Sequence, residues 1–501
     1  MVFSPTHPPG YWRRSPKNYI TGVHPAIPGG KWEGRVKALQ PLRISGAEVL
    51  PLIEGGKGIS VSNGQSSGAW ALAGGVGTFS GVNADSYDAD GNPIPQIYHG
   101  KTRRDRHEEL LDYAIKGGIT QARIAHDCMG GNGRLHMNVL WEMGGAERVL
   151  HGVLEGAKGL IHGVTCGAGM PYRIAEICAQ YGIHYYPIVS SARAFRALWK
   201  RAYHKFQDLL GGVVYEDPWL AGGHNGLSNV EDPTKPQPPY DRVRELRNTL
   251  RDECGLGETP IIMAGGVWNL KEWEDWIGNP ELGPIAFQFG TRPLLTQESP
   301  ISDAWKKRLV NLKKGDVFLN RFSPTGFYSS AVNNSFIQEL RERSERQVAY
   351  SAQKVGEHEW PFAVGARGRQ VFLTAADKLR AEEWVKQGFT ETLRTPDTTL
   401  IFVTREKANE ILKDQIDCMG CLSACGFSNW AQNEEGTTGR KADPRSFCIQ
   451  KTLQEISHSD KIEDQLMFAG HNAYRFRDDP FYANGFVPTV KQLVERLVTG
   501  D

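Results

Sequence analysis

Short apolar runs alternate with amphipathic stretches along most of the chain from residue 46 onward. Apolar residues at helical spacing predict helices, and short continuous apolar runs predict buried strands. The helices are predicted at residues 106–116, 147–157, 172–181 and 192–210, and the intervening strands at 159–164 and 185–189. Strands that alternate with helices in this way indicate a parallel sheet. Periodicity alone leaves a closed barrel and an open doubly wound sheet as alternatives.

Three further apolar runs end in glycine and small polar residues. They cover residues 208–215, 260–267 and 285–292, and the first is followed by EDPWLAGGHNG at 216–226. Ligands collect at the carboxyl ends of parallel strands, and glycine lets the backbone approach them closely. The pairs Gly265-Gly266 and Gly290-Thr291 would offer backbone N–H groups to a phosphate. Plain tight turns are the alternative. Together the three strand ends predict a bound phosphate or a flat ring.

These motifs resemble those of the nitronate monooxygenase (2-nitropropane dioxygenase) family. The resemblance rests on AGGHNG at 221–226, IIMAGGV at 261–267, FQFGTRPLLTQES at 287–299 and the glycine-rich stretch at 51–83, and it covers roughly residues 45–345. The family includes flavin-dependent bacterial enoyl reductases and the reductase subunit of polyunsaturated fatty-acid synthases. It implies the α/β fold class, with an FMN-binding (β/α)8 TIM barrel followed here by a C-terminal α/β extension. Lys57 departs from the family, because many members carry methionine there.

The resemblance also implies site residues. His224 matches the histidine of the AGGH motif and is predicted to be the catalytic acid or base, since imidazole can exchange a proton near neutral pH. A histidine that only packs or hydrogen-bonds to flavin is the alternative. The predicted FMN contacts are Gly55, Gly56, Gly222, Gly223, Gly265, Gly266, Gln288, Gly290 and Thr291. The chain shows neither a G-x-G-x-x-G turn nor a P-loop, so no dedicated NAD domain is predicted.

Four cysteines form a second motif. Cys418, Cys421 and Cys425 are spaced C-x2-C-x3-C, and Cys448 follows after a longer gap. Thiolates bind zinc or iron–sulfur clusters, and a zinc ribbon would normally show a second C-x2-C pair. The spacing resembles the cluster of the dienoyl-CoA reductase and trimethylamine dehydrogenase group, so a [4Fe–4S] cluster is predicted, with zinc or free redox cysteines as alternatives. The remaining cysteines, Cys128, Cys166, Cys178 and Cys254, are interpreted as core residues, although Cys166 could also face the ligand pocket.

Composition limits the remaining choices. The 58 basic and 57 acidic side chains leave a net charge of +1, which predicts neither nucleic acid nor a membrane as a partner. The first residues lack the apolar core of a secretory signal, and eight cysteines, four of them clustered, favour a reduced cytoplasm. The predicted organisation is an arm at 1–45, the barrel at 46–345 and a C-terminal domain at 346–501, with a helix at 375–386 and a strand at 399–403.

Three functions therefore remain. The first is an FMN-dependent oxidoreductase that resembles nitronate monooxygenases, acts on a small organic substrate and receives or delivers electrons through the cluster. The second is an enoyl reductase that uses NAD(P)H or ferredoxin. The third is an electron-transfer flavoprotein subunit of a larger complex. We expect a small-molecule substrate and a homo-oligomer, and an electron-donor protein remains open as a further partner.

Overall fold

The computed structural model describes residues 37, 39–88, 90–131, 133–365 and 367–500. Most of the arm predicted at 1–45 therefore lies outside the described residues. The described end of that segment enters an antiparallel hairpin of β1 (Leu42–Ile44) and β2 (Ala47–Val49). No helix of the described chain is both long enough and apolar enough to cross a membrane.

A closed barrel of eight parallel strands follows the hairpin. Its strands, in order around the barrel, are β3 (Leu52–Glu54), β4 (Val76–Ser80), β5 (Arg134–Leu140), β6 (Gly163–Gly167), β7 (His184–Val189), β8 (Val213–Glu216), β10 (Ile261–Ala264) and β11 (Ile285–Phe289). The ninth strand in chain order, β9 (Gly223–His224), lies outside the barrel. The (β/α)8 barrel predicted from the sequence is confirmed.

An α-helix follows each barrel strand except β10. These helices are α1 (Gly64–Leu72), α2 (Arg103–Met129), α3 (Ala146–Gly156), α4 (Ile174–Tyr181), α5 (Ala192–Arg201), α6 (Pro239–Asn248) and α7 (Asp303–Leu309). The connection between β10 and β11 contains only a short 3-10 turn, Lys271–Trp273. Thr102 and Asp105 form a capping box that starts α2, and Gly130 ends that helix at a φ of 63°. Local capping chemistry thus sets both ends of the longest helix.

Several predicted elements have different bounds in the structure. The helix predicted at 106–116 spans Arg103–Met129, and the strand predicted at 208–215 begins only at Val213. The helix predicted at 192–210 ends at Arg201 and continues as two 3-10 turns, Tyr203–Lys205 and Gln207–Leu209. The strand predicted at 159–164 begins only at Gly163. Gly159 has a φ of 81°, and this left-handed backbone is incompatible with an extended strand at its start.

The hairpin closes the amino-terminal end of the barrel. Ile44 and Val49 pack among the inward-facing side chains Ile53, Val214 and Ile262 of the barrel strands. Below them the Ser45 hydroxyl lies 2.8 Å from both the Tyr186 hydroxyl and Nε2 of His136. Burial lowers the pKa of His136 to about 3, so its ring is a neutral part of the core. The site must therefore lie at the other, carboxyl end of the barrel.

A small sheet lies over that carboxyl end. It contains β9, β12 (Val317–Asn320) and β13 (Ser329–Val332), and α8 (Ser335–Glu345) follows it. The chain then builds a separate unit with its own core. This unit comprises β14 (Gln347–Ala349), β15 (Trp360–Val364), β16 (Arg369–Leu373), α9 (Ala375–Lys386), β17 (Glu391–Arg394) and β18 (Thr399–Val403). The last part of the chain returns to the barrel through α10 (Arg405–Ile416), β19 (Ala424–Cys425), β20 (Trp430–Ala431), α11 (Ile449–Gln454), α12 (Arg475–Asp478) and α13 (Val490–Thr499).

Candidate functional site

Three glycine-containing loops meet at one side of the barrel mouth. They follow β8, β10 and β11, which are neighbouring strands because β9 is not part of the barrel. The strand register places Glu216, Ala264 and Gln288 at one level, directly below these loops. The predicted cofactor residues Gly222, Gly223, Gly265, Gly266, Gly290 and Thr291 are thereby brought together.

The structural reason for a glycine differs from one position of these loops to another. Gly223, Gly265 and Gly266 have φ values of 73°, 92° and 78°, a left-handed conformation that side chains disfavour. A Cβ on Gly266 would also lie 2.7 Å from Cδ1 of Leu220. Gly290 has no such constraint, and a Cβ there would find no atom within 4 Å. The backbone at Gly290 therefore faces open space in the mouth, where a ligand group would fit.

A C-terminal segment completes this side of the mouth. We name residues 468–472 (FAGHN) the strap, because it crosses all three loops. The Gly470 N–H donates to Oγ1 of Thr291 at 2.9 Å, and the His471 N–H donates to the Leu220 carbonyl at 3.2 Å. The Asn472 amide donates to the Gly266 carbonyl at 2.7 Å. The strap thus holds the loops after the sixth, seventh and eighth barrel strands in fixed relation.

Sequence reasoning did not assign the strap to the site. A signal was present, because Ala469-Gly470-His471-Asn472 repeats most of the AGGHN at 221–225. The structure brings the two copies into contact: a Cβ on Gly222 would lie 2.6 Å from the carbonyl carbon of Ala469. The similarity between the two segments therefore accompanies a direct packing contact.

The loop after β3 adjoins these three loops, because β3 pairs with β11 in the barrel. A Cβ on Gly55 would lie 3.2 Å from Nε2 of Gln288, and one on Gly56 would lie 2.3 Å from Nδ2 of Asn138. Asn138 also accepts a hydrogen bond from Oγ1 of Thr165 at 3.0 Å. These two glycines are thus required by amide side chains that line the barrel mouth. Sequence reasoning missed Asn138 and Thr165, which no motif marked.

Lys57, the departure from the family pattern, is buried. Its ammonium forms an ion pair with Glu54, and the Glu54 carboxylate also accepts a hydrogen bond from the hydroxyl of Ser66 in α1 at 2.5 Å. The Lys57 backbone N–H donates to the Ser62 hydroxyl at 2.6 Å. A buried, satisfied ion pair fixes geometry more than it adds stability. Lys57 therefore anchors the Gly55-Gly56 loop to α1.

His224 lies on β9, paired in register with Ser329 of β13. Its Nε2 atom is 2.6 Å from the Ser323 hydroxyl, and its ring meets the Phe468 ring edge to face at a centroid distance of 5.3 Å. Burial lowers the pKa of His224 to about 4, so the imidazole is neutral at pH 7. A second histidine, His471, contacts the Ser330 hydroxyl through Nε2 at 3.1 Å, and burial lowers its pKa as well.

The residues at the mouth fit a flavin mononucleotide. Two buried polar atoms lack a protein partner here: Oγ1 of Thr78 on β4 and Nδ2 of Asn225 beside His224. Such atoms are normally satisfied by a ligand or by water. Together with the open space at Gly290, they leave room and hydrogen-bonding positions for a ligand such as FMN. The carboxyl end of a closed barrel is also where barrel enzymes bind such cofactors.

The four motif cysteines lie together on a different side of the mouth. Cys418, Cys421, Cys425 and Cys448 line one small cavity with Phe427 and Ser428. The Ser428 hydroxyl donates to Sγ of Cys418 at 3.0 Å. Burial and the neighbouring cysteines raise the pKa of Cys421, and burial raises that of Cys448 to about 12. Within the described ranges, no group of three or more His, Cys, Asp or Glu side chains is arranged to hold a single metal ion.

The remaining cysteines do not join this cavity. Cys166 and Cys178 are buried, and Cys128 and Cys254 are partly exposed. Cys166 packs in the main core outside the barrel interior rather than toward the mouth. The interpretation of Cys166 as a core residue agrees with this position.

The cysteine loop rests on the barrel mouth. The Gly144 N–H, in the loop after β5, donates to the Cys421 carbonyl at 3.0 Å. The Gly426 N–H, next to Cys425, donates to the Pro324 carbonyl at 2.9 Å, and Pro324 follows the Ser323 that contacts His224. A short series of contacts therefore connects the cysteine cavity with His224.

A (β/α)8 barrel with this mouth is that of a flavin-dependent oxidoreductase. The chain belongs to the nitronate monooxygenase family, whose sequence model matches residues 153–500. The match includes the cysteine loop and the strap, which lie beyond the region of roughly 45–345 that the motifs covered. The family predicted from the sequence, which is FMN-dependent, is confirmed.

Solved structures with a similar arrangement have low sequence identity to the chain. FabK from Thermotoga maritima is 14% identical, with a TM-score of 0.44 over 89% of this chain and 91% of its own. A nitroalkane oxidase from Streptomyces ansochromogenes is 17% identical, with a TM-score of 0.39 over 60% of this chain and 79% of its own. No curated protein matches the chain in sequence.

Proposed function

We propose that this protein oxidises a small, weakly acidic organic substrate through its nitronate-type anion, with His224 as the residue that removes the proton and FMN at the barrel mouth as the electron acceptor. The observation that carries the proposal is the position of His224 between the strap and Ser323. One side of the imidazole is fixed by the serine, and its ring is held against Phe468. The histidine is therefore oriented at the edge of the proposed cofactor site.

The neutral state of His224 suits proton removal. A pKa of about 4 leaves the unprotonated imidazole ready to accept a proton at pH 7. The same low pKa makes the resulting imidazolium acidic, so the proton passes on to solvent. Ser323 keeps the ring in one orientation during both steps. FMN, when bound, would supply the two-electron oxidation of the substrate.

The residues proposed to hold FMN divide into two groups. Backbone groups of Gly222, Gly223, Gly265, Gly266, Gly290 and Thr291 would bind the phosphate end. Gly55, Gly56 and Gln288 would lie against the ring, together with Asn138 and Thr78. Heat-released cofactor separated on a column tests this assignment. FMN supports it, whereas FAD, or no flavin after reconstitution, contradicts it.

We further propose that Cys418, Cys421, Cys425 and Cys448 hold one [4Fe–4S] cluster that exchanges single electrons with the flavin site. The support for this proposal is that all four cysteines line one cavity, since four cysteines are the usual ligands of a [4Fe–4S] cluster. The contacts from Gly426 to Pro324 support a short path to His224.

Metal content decides the cluster assignment. Anaerobically prepared protein should contain about four irons and four sulfides per chain and give a cluster signal in electron paramagnetic resonance after reduction. Cys421→Ser should lose the iron, while Cys254→Ser, a partly exposed cysteine outside the cavity, should retain it. One zinc without iron would instead make the C-terminal region a structural zinc domain.

The cysteine cavity also favours a second candidate, in which a carrier protein feeds electrons through the cluster to reduce a conjugated C=C bond. Rapid mixing of the oxidised holoprotein with NADH, NADPH or reduced ferredoxin separates the candidates. Fast flavin reduction by a nicotinamide or by ferredoxin would favour the reductase. Fast reduction by a nitronate alone would favour the oxidase. Reduction by ferredoxin without turnover of any small substrate would indicate an electron-transfer subunit.

A further inference from the structure

Glu216 is an ionisable side chain at the barrel mouth that the proposed mechanism does not use. Side chains alternate along a strand, so Val214 in the barrel interior places Glu216, two residues later, on the inward side. Val213 and Tyr215 point outward into the surrounding core. Glu216 is thus the last inward residue of β8, immediately below the three glycine loops.

The neighbours of Glu216 leave it free. The residue at its level on β10 is Ala264, which has a small side chain, and the next is Gln288 on β11. On the other side β7 contributes Ile188, in register with Val214. Among the residues that the structure describes, none forms a hydrogen bond or ion pair with the Glu216 carboxyl. Little of Glu216 is in contact with bulk solvent, but the residue is not fully buried, so a ligand in the mouth can reach it.

We propose that the Glu216 carboxyl binds the flavin ring, donating a hydrogen bond to the oxygen- and nitrogen-bearing edge of that ring. The proposal rests on FMN as the cofactor, and it adds a binding residue that no sequence motif marks. Gln288 would supply a second amide contact at the same level of the barrel. Ala264 lies between them, and its small side chain would leave room for a flat ring at this level of the barrel.

The protonation state of Glu216 supports the donation of a hydrogen bond by its carboxyl group. Burial, and secondly the nearby Asp217 carboxylate, raise the pKa of Glu216 to about 8. The carboxyl is therefore mostly protonated at pH 7, and a neutral carboxylic acid donates where a carboxylate only accepts. Asp217 is held by backbone N–H groups of Trp219 and Leu220 and faces away from the mouth. His224 and His471, in the segments above, both have lowered pKa values and stay neutral over the same range.

Flavin affinity as a function of pH tests the proposal without any turnover. The apoprotein is titrated with FMN between pH 6.5 and 9.5, and quenching of flavin fluorescence gives the dissociation constant. Wild-type protein should bind FMN about tenfold more weakly at the high end, because an ionised carboxylate repels an electronegative edge. Glu216→Gln keeps a donor that cannot ionise, so its affinity should stay flat across the range.

Two further variants test the role of Glu216 in FMN binding. Glu216→Ala should weaken binding at pH 6.5 about five- to twentyfold, the usual effect of losing one donor to a ligand. Glu253→Gln, in which an exposed glutamate far from the mouth is changed, should keep the wild-type profile. An unchanged profile in Glu216→Gln, or unchanged affinity in Glu216→Ala, would overturn the proposal. Failure of wild-type protein to bind FMN at any pH would instead reject the cofactor assignment.

Discussion

The backbone N–H of Gly470 donates a hydrogen bond to the side-chain oxygen of Thr291 at 2.9 Å, although 179 positions separate the two residues. Thr291 follows the last barrel strand, and Gly470 lies in the strap. The proposed cofactor site is therefore built from distant parts of the chain, and both Thr291 and Gly470 lie within the region that the family sequence model covers. The C-terminal part of this chain is a structural part of the barrel mouth.

The strap should contribute measurably to FMN affinity. Asn472→Ala removes the 2.7 Å hydrogen bond to the Gly266 carbonyl and should weaken FMN binding about five- to tenfold, equivalent to about 1 kcal/mol. Asn311→Ala removes the same type of amide-to-carbonyl bond from α7, away from the mouth, and should leave affinity unchanged. Equal FMN affinities of the two variants in a fluorescence titration would mean that the strap does not contribute to FMN binding.

Gly290 and Gly266 should respond differently to alanine. Gly290→Ala meets no atom within 4 Å and should leave the thermal unfolding midpoint of the apoprotein unchanged, yet the methyl group should lower FMN affinity more than tenfold by entering the ligand space. Gly266→Ala should lower both quantities, because its φ of 78° and its contact with Leu220 strain the fold itself. Normal FMN binding by Gly290→Ala would show that the phosphate does not lie against Gly290.

His224→Ala should retain nearly normal flavin content and turn over about a hundredfold more slowly, the usual scale for a lost general base. Ser323→Ala keeps the imidazole but removes its 2.6 Å partner, so it should reduce turnover by less. The measurement is steady-state turnover together with flavin content per chain. Loss of flavin in His224→Ala would make the residue a cofactor ligand, and unchanged turnover would reduce its role to packing.

An ion pair between the barrel and the C-terminal region should make stability depend on pH. Nε2 of His458 lies 2.9 Å from the Asp85 carboxylate. Burial alone would lower the pKa of His458, but the hydrogen bond and charge of Asp85 outweigh it and raise the pKa. A raised pKa in the folded state adds stability that is fully present below the unfolded value of about 6.5 and is lost as pH rises through the folded value.

Asp85→Asn is the variant for this effect. Its thermal unfolding midpoint should fall below that of wild-type protein at pH 5.5, and the two midpoints should converge at pH 9. His458→Gln should show the same convergence. A difference that is equal at both pH values would show that the pair contributes only through its hydrogen bond.

Much of the fold was predictable because local patterns encode it. The helix at Ala375–Lys386 and the strand at Thr399–Val403 match their predicted bounds, since each begins where capping or turn residues interrupt the apolar pattern. The strands before the three glycine loops were recognised for the same reason. Parallel strand ends meet at one edge, so their order in the sequence was enough to bring the glycines together.

Other parts of the site depend on contacts between distant residues, which no local sequence pattern predicts. Asn138 and Thr165 come from ordinary strand positions, and their hydrogen bond becomes apparent only when the barrel closes. Glu216 opens the EDPWLAGGHNG stretch, but only the folded barrel shows that it faces inward and has no partner among the described residues. The strap was overlooked since its role depends on 179 intervening positions folding first. Contacts between such distant segments produce no periodic pattern of apolar residues in the sequence.

The position of the strap in the chain has a consequence for synthesis. A ribosome makes the eight barrel strands first, then the separate unit at 347–403, and only then residues 468–472. Domains begin to fold as they emerge, so a nascent barrel can close before its mouth has all its walls. Cofactor capture is therefore expected late, after the strap has left the ribosome, and an incomplete chain would remain colourless.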